Sequence, residues 1–179
     1  MHHIRVHDKS FVLALSGEDI LSRIRTLAEQ ISRDYESKDV LFIGVLNGSF
    51  LFAADLVREV TIPCRITFVK LASYQGTQST GEVKTLLGLN EPLEGKHVVI
   101  LEDIIDSGLT LQHLLQLLEQ QQPASLRVAS LLYKPGAVKV KLPVDYVGFE
   151  MENDFLVGYG LDYDGYGRNL KDIYKHKHV

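Results

Sequence analysis

The residues of this chain best suited to chemistry stand together in Glu102-Asp103-Ile104-Ile105-Asp106-Ser107-Gly108-Leu109-Thr110. Glu102, Asp103 and Asp106 supply carboxylates, and Ser107 and Thr110 supply hydroxyls. Ionised, Glu102 and Asp103 offer only acceptors, which suits sugar hydroxyls or a hydrated Mg²⁺. If the turn opens a helix, the N–H groups from Ser107 to Thr110 face outward with the positive end of the helix dipole, and the hydroxyls add donors. That is a cradle for phosphate. Gly108 lets the backbone come close to the bound oxygens. A bland alternative is an acidic loop capped by Ser and Thr. Against it, two adjacent carboxylates at a buried strand end repel each other unless a cation or hydroxyls relieve them.

The elements that must hold this turn follow from periodicity. Helical and strand patterns alternate along the 179 residues without repeats or low-complexity tracts, which points to an α/β fold. Ser16-Gly17-Glu18-Asp19 resembles a capping box, and Ile20, Ile24, Leu27, Ile31 and Tyr35 make one helical face apolar, predicting a helix from Glu18 to Glu36. Val40 to Val45 is an apolar run of buried-strand character, then Asn47-Gly48-Ser49 turns into a helical pattern through Phe50, Ala54 and Val57. Arg65 to Leu71 alternates like a half-buried strand. Ser73 to Lys84 has no apolar face and suggests a long mobile loop. His97 to Leu101 is a second apolar strand, expected to end at Glu102-Asp103, before a helix through Leu111, Leu114, Leu115 and Leu118. Leu126 to Tyr133 and Val144 to Phe149 are further strand candidates. Parallel strands with a ligand at their carboxyl ends would explain why polar segments follow strands.

Composition sets the limits. An apolar fraction of 45% and a charged fraction of 23% are those of an ordinary soluble domain, with no apolar run near the ~20 residues of a membrane helix. A net charge of −4 argues against nucleic acid as the main partner. Cys64 is the only cysteine, so no internal disulfide forms and a reducing cytoplasm is expected. The histidines near the ends, His176 and His178 among them, read as solvated terminal residues. Gly95-Lys96 lacks the Ser/Thr and the earlier glycine of a P-loop.

The stretch Leu101 to Thr110 resembles the phosphoribosyl pyrophosphate (PRPP) signature of type I phosphoribosyltransferases, and the wider likeness covers nearly the whole chain and selects the hypoxanthine-guanine family. The resemblance implies a central parallel sheet flanked by helices, with a small hood built from the N-terminal segment and the C-terminal tail. Residues 1–179 then form a single domain, with a core of about 17–150 and a hood of about 1–16 and 151–179. It implies transfer of the phosphoribosyl group from PRPP to a 6-oxopurine, with Mg²⁺ as cofactor and small molecules as the binding partners. It also implies a homodimer or homotetramer. Glu102 and Asp103 would contact the ribose hydroxyls, directly or through Mg²⁺. Asp106, Ser107, Gly108, Leu109 and Thr110 would enclose the 5-phosphate, with Asp106 beside the purine imidazole as acid/base.

Other segments extend the likeness. Leu46-Asn47-Gly48-Ser49 matches the family's pyrophosphate loop, in which a non-proline cis peptide, here expected at Leu46–Asn47, turns backbone N–H groups toward pyrophosphate. Many relatives carry Lys or Arg where this chain has Asn47. Ser73-Tyr74 and Gly76 to Glu82 resemble a catalytic lid. Lys134 would donate to the 6-oxo group, favouring 6-oxopurines over adenine because a lysine cannot accept from an amino group. Phe155 would stack on the purine and the Leu156 backbone would bond its edge. Asp162 would reach a second Mg²⁺, and Arg168 would grip pyrophosphate. A PRPP-sensing regulator that binds nucleic acid on the same fold is the alternative, and the acidic balance counts against it.

Overall fold

The computed structural model describes residues 3–72 and 84–177. The chain opens with an antiparallel hairpin, β1 (His3–Val6) and β2 (Lys9–Leu15), and passes into α1 (Gly17–Asp34). Then follow β3 (Val40–Leu46), α2 (Phe50–Glu59), β4 (Cys64–Ala72), β5 (Lys84–Leu87), β6 (His97–Ile105), α3 (Leu109–Glu119), β7 (Ser125–Tyr133) and β8 (Tyr146–Glu150). The tail adds β9 (Leu156–Val157) and β10 (Ile173–His176).

Six strands form the central sheet in the order β5-β4-β3-β6-β7-β8, all parallel except β5, which runs antiparallel to β4 at the edge. The near-continuous apolar runs of β3, β6 and β7 are what a parallel sheet covered on both faces requires. Alternate residues of β3 go to opposite sides. Val40 and Phe42 pack with Ile20, Ile24, Leu27 and Ile31 of α1 and with Phe52 and Leu56 of α2. Leu41 and Ile43 pack with Leu111, Leu114, Leu115 and Leu118 of α3. The apolar face expected from Ile20 to Tyr35 is wholly buried. Ser16 caps α1: its hydroxyl accepts from the Asp19 N–H and donates to the Asp19 carboxylate at 2.6 Å.

A second, antiparallel sheet in the order β1-β2-β10-β9 joins the first residues of the chain to the last and forms the hood. His176 belongs to it: the residue expected as a solvated end is half-buried in β10, edge-on to Phe11 at 5.6 Å. A more consequential difference concerns β6. The strand does not stop at Glu102 but runs on to Ile105, because β7 continues beside it, with Glu102 opposite Ser130 and Ile105 opposite Tyr133. The two carboxylates therefore stand on a rigid strand, on opposite faces of the sheet, rather than in a loop.

Candidate active site

Among the described residues three helices begin near the ends of strands or hairpins, and only one of them is closed by its own sequence. Besides its Ser16 cap, α1 has Glu18 and Asp19 in its first turn. By contrast α2 and α3, which follow directly on β3 and β6, have no side-chain cap and no acidic residue in the first turn. Their dipoles are open to an anion, although at α2 the Ser49 and Phe50 N–H groups already donate to the Val45 and Asn47 carbonyls at 3.3 and 3.4 Å. Gly108, at φ 79°, turns the chain from β6 into α3, and a Cβ there would press on Leu142 at 2.5 Å. The Ser107 hydroxyl only brushes the Leu109 N–H, at 3.5 Å.

A pocket of about 260 Å³ lies over this turn, lined by Leu46 of β3, Glu102 and Ile105 of β6, and Asp106, Ser107, Gly108 and Thr110. It brings the end of β3 together with Glu102, Asp106, Ser107, Gly108 and Thr110, whereas Asp103, on the other face of the strand, does not line it. A wider concavity of about 610 Å³ lies on the hood itself, beside Arg5, His7 and Tyr166. No carboxylate and no open helix terminus converge on it, so chemistry is a better guide here than size.

Beside the pocket the Leu46–Asn47 peptide is cis, as expected. Gly48 must be glycine for a local reason: a Cβ would overlap the Asp103 carboxylate. Ser49, fully buried, holds the only buried side-chain polar atom without a hydrogen-bond partner among the described residues.

The acidic pair is electrostatically uncomfortable. Glu102 is 8% exposed, and burial, with Asp103 nearby, pushes its carboxyl well above the usual range. Burial also pushes Asp103 up to about 6, against the pull of backbone N–H groups and the Arg168 guanidinium, and Asp162 adds repulsion. Asp106 is different. Its side chain is 60% exposed and meets Lys134 Nζ at 3.3 Å, whereas the Lys134 side chain is 9% exposed. A buried lysine thus presents its ammonium to an open carboxylate, setting a donor and an acceptor side by side.

The tail supplies the rest. Phe155 keeps 39% of its surface exposed, and its ring is propped from behind by Tyr163, edge-on at 5.5 Å, and by Phe11 at 5.9 Å. Leu156 is buried in β9. Arg168 and Asp162 face one another in an ion pair of 2.8 Å, and Asp162 also accepts from the Gly165 N–H at 2.7 Å. Ser73, Tyr74 and the 76–82 lid segment lie outside the described residues.

Sequence reasoning did not find Tyr159 or Asp55. The Tyr159 phenol donates to the Asp55 carboxylate at 2.5 Å, joining the tail to α2. Gly158-Tyr159-Gly160 is an audible signal in the tail, since glycines around an aromatic mark an unusual backbone; Asp55 gives none.

The geometry also fits a hard cation completed by a ligand. No group of three or more His, Cys, Asp or Glu side chains able to hold a metal by itself occurs among the described residues. Mg²⁺ is ordinarily held by one or two carboxylates plus substrate oxygens and water, and the buried Glu102 and Asp103 oxygens are donors of that kind. Among the described residues no helix is long and apolar enough to cross a membrane.

Comparison with known proteins places the chain in a family. The phosphoribosyl transferase domain matches residues 15–164. The chain is 45% identical over 166 residues to the hypoxanthine-guanine phosphoribosyltransferase of Mycobacterium tuberculosis, covering 89% of this chain and 82% of that protein. It is 40% identical to the hypoxanthine phosphoribosyltransferase of Haemophilus influenzae, covering 97% and 96% of the two chains. Among solved structures, a hypoxanthine-guanine phosphoribosyltransferase from Bacillus anthracis, crystallised with a HEPES molecule in its active site, superposes with a TM-score of 0.87 at 41% identity over 92% of this chain and 97% of that one.

Proposed function

The chain belongs to the phosphoribosyl transferase family, on its hypoxanthine-guanine branch, and from that premise we propose which residues carry the transfer of the 5-phosphoribosyl group from PRPP to hypoxanthine or guanine, giving IMP or GMP and pyrophosphate. The observation that carries the reading is the Lys134–Asp106 pair beside the open end of α3. A 6-oxopurine presents an acceptor oxygen next to an imidazole N–H, and the pair offers a donor and an acceptor in matching order. Adenine, with an amino group at that position, would meet an ammonium that cannot accept, and the unpaired donors penalise it.

The open N-terminus of α3, with Ser107, Gly108, Leu109 and Thr110, holds the 5-phosphate. Glu102 and Asp103 would hold the ribose hydroxyls and Mg²⁺, and Asp162 would hold a second ion. Bound there, Mg²⁺ would neutralise the pyrophosphate that leaves. The Leu46–Asn47–Gly48 backbone and Arg168 receive that pyrophosphate. For this Arg168 exchanges part of its contact with Asp162. Phe155 stacks on the base, and the Leu156 backbone bonds its edge. The purine nitrogen then attacks the anomeric carbon from the face opposite the departing pyrophosphate, and Asp106 accepts the imidazole proton as positive charge builds on the ring. Attack from that side inverts the carbon and gives a β-nucleotide. The acidic balance and lone Cys64 support a cytoplasmic protein acting on small molecules, and self-association as a dimer or tetramer belongs to the same reading.

An absorbance assay with PRPP and Mg²⁺ against hypoxanthine, guanine, xanthine and adenine tests this, with EDTA as control. Metal-dependent nucleotide formation from the 6-oxopurines and not from adenine is expected. Turnover of adenine at a comparable rate would remove Lys134 as the selector, and an α-nucleotide product would remove the inverting mechanism.

A further inference from the structure

Gly158, Tyr159 and Gly160 all lie at positive φ, 107°, 47° and 95°. Glycine adopts such angles freely, but a bulky L-residue does so uncommonly, so something must hold Tyr159 there. One face of the turn lies flat on the pyrophosphate loop, since a Cβ at Gly160 would overlap the Gly48 carbonyl oxygen. The same turn orients Arg168: the Gly160 carbonyl accepts from the guanidinium at 2.7 Å, and the Gly160 N–H donates to the Arg168 carbonyl at 3.0 Å. Tyr159 itself is 5% exposed, and its phenol reaches across to Asp55 on α2. Asp55 stands one and a half turns into the helix that the pyrophosphate loop opens, and Arg58 lies 3.7 Å away on its other oxygen. Burial and the Asp55 carboxylate push the Tyr159 phenol far above its ordinary range, so it stays a donor throughout the working pH.

We propose that Tyr159 is a positioning residue for the pyrophosphate half of the reaction: through Asp55 it fixes the turn that carries Arg168 against the loop at Gly48, so that guanidinium and loop N–H groups meet the pyrophosphate in register. The inference rests on the assignment of those two elements to pyrophosphate. Loss of the phenol would free the turn to slide over Gly48 and leave Lys134, at the end of β7, in place, with Phe155 still held to β10 by the His176 N–H on its carbonyl at 2.8 Å. The effect therefore belongs to PRPP and pyrophosphate rather than to the purine.

The test is steady-state kinetics of the full chain in both directions, with Tyr159→Phe, Asp55→Leu, Asp55→Asn and the double variant Tyr159→Phe/Asp55→Leu. Tyr159→Phe keeps the packing and removes only the hydroxyl, and Arg58 still accompanies Asp55. The KM for PRPP and the KM for pyrophosphate should each rise about 10- to 150-fold, the range of a hydrogen bond to a charged group. The KM for hypoxanthine should stay within about twofold, because none of its contacts is removed. Asp55→Leu should reproduce the loss, the double variant should add little to it, and Asp55→Asn, which keeps a carbonyl acceptor, should recover most of it. Should Tyr159→Phe fail to fold, the two Asp55 variants carry the same comparison. Unaltered KM values for PRPP and pyrophosphate, or equal rises for purine and PRPP, would overturn the proposal. Wild-type protein that turns over no 6-oxopurine would remove the reaction itself, whereas an active wild type beside an unaffected Tyr159→Phe removes only this inference.

Discussion

The two ends of the central sheet treat charge in opposite ways. At the amino ends of the strands charged groups are paired with one another. Arg127 donates to Asp34 at 2.8 Å and to the Tyr146 hydroxyl at 2.7 Å, Tyr146 donates to Asp34 at 2.6 Å, and Arg65, Asp39, Glu91 and Lys96 form a second set. At the carboxyl ends Glu102 and Asp103 are held at raised proton affinity, Ser49 has no partner, and two helix N-termini stand uncapped. Both ends belong to the same strands. The difference is what the proposed reading needs: the groups it gives to substrate and cation are those the fold leaves unsatisfied at a cost in stability, and groups with no ligand to wait for are satisfied by one another.

The comparison breaks most visibly at Asp106. Asp106→Asn keeps the shape and removes the proposed base, so turnover should fall about 10²- to 10⁴-fold with PRPP affinity largely kept. Single-turnover rates and PRPP titration separate the two, and an undiminished rate would assign the proton to another group. Gly48→Ala acts next. Its Cβ would overlap the Asp103 carboxylate, so the loop or the acid has to move, and a displacement on the scale of an ångström costs about 10²-fold in kcat/KM for PRPP. A variant within threefold of wild type would show that the loop yields easily and that Gly48 is not fixed by Asp103.

Much of this was legible in the sequence because periodicity and local chemistry act over short distances. Ile20 to Tyr35 declared the buried face of α1, and Ser107-Gly108 declared the turn into α3. The alternation of apolar runs with polar turns gave the α/β class. Where β6 ends was not legible: Glu102-Asp103 looks like a loop until β7 is known to run beside it, and that pairing is a long-range fact. The same holds for Tyr159 and Asp55, which are 104 residues apart in the chain. Nothing local in Asp55 distinguishes it from a solvated helix acid. The facing of Arg168 and Asp162 was equally hidden, since each was assigned a role by likeness and neither sequence position says that they meet.

The cost at the carboxyl end should appear as a pH dependence of stability in the protein without ligand or metal. An acid whose folded pKa is raised keeps its proton in the native state after the unfolded chain has lost it. The native state then binds more protons than the unfolded one, and stability falls as pH rises. For Asp103 the window runs from the ordinary 3.8 to about 6, and Glu102 acts in the same direction. With Asp103 half-buried, solvent screens part of the effect, and the loss is about 2 kcal/mol across that window. Asp103→Asn should flatten that part of the profile in urea melts at graded pH, and a variant as pH-dependent as wild type would show that Asp103 is already relieved within the fold.

The smallest effect should come from the closed end, and its size is what sharpens the contrast. Arg127→Leu removes two hydrogen bonds to Arg127 and leaves the Tyr146–Asp34 bond in place. Hydrogen bonds to charged groups contribute about 1.5–3 kcal/mol when well sheltered. Here the Arg127 and Asp34 side chains are 40% and 39% exposed, so water replaces much of what is lost. A loss of about 1 kcal/mol remains, equivalent to about 2–4 °C in Tm for a domain of this size. Because no ligand was ever meant to complete this network, kcat and every KM should stay within about twofold. A larger change in the kinetic constants than in Tm would mean that the amino ends of the strands set the geometry of the carboxyl ends, and that satisfaction at one end and exposure at the other are a single coupled arrangement rather than two independent ones.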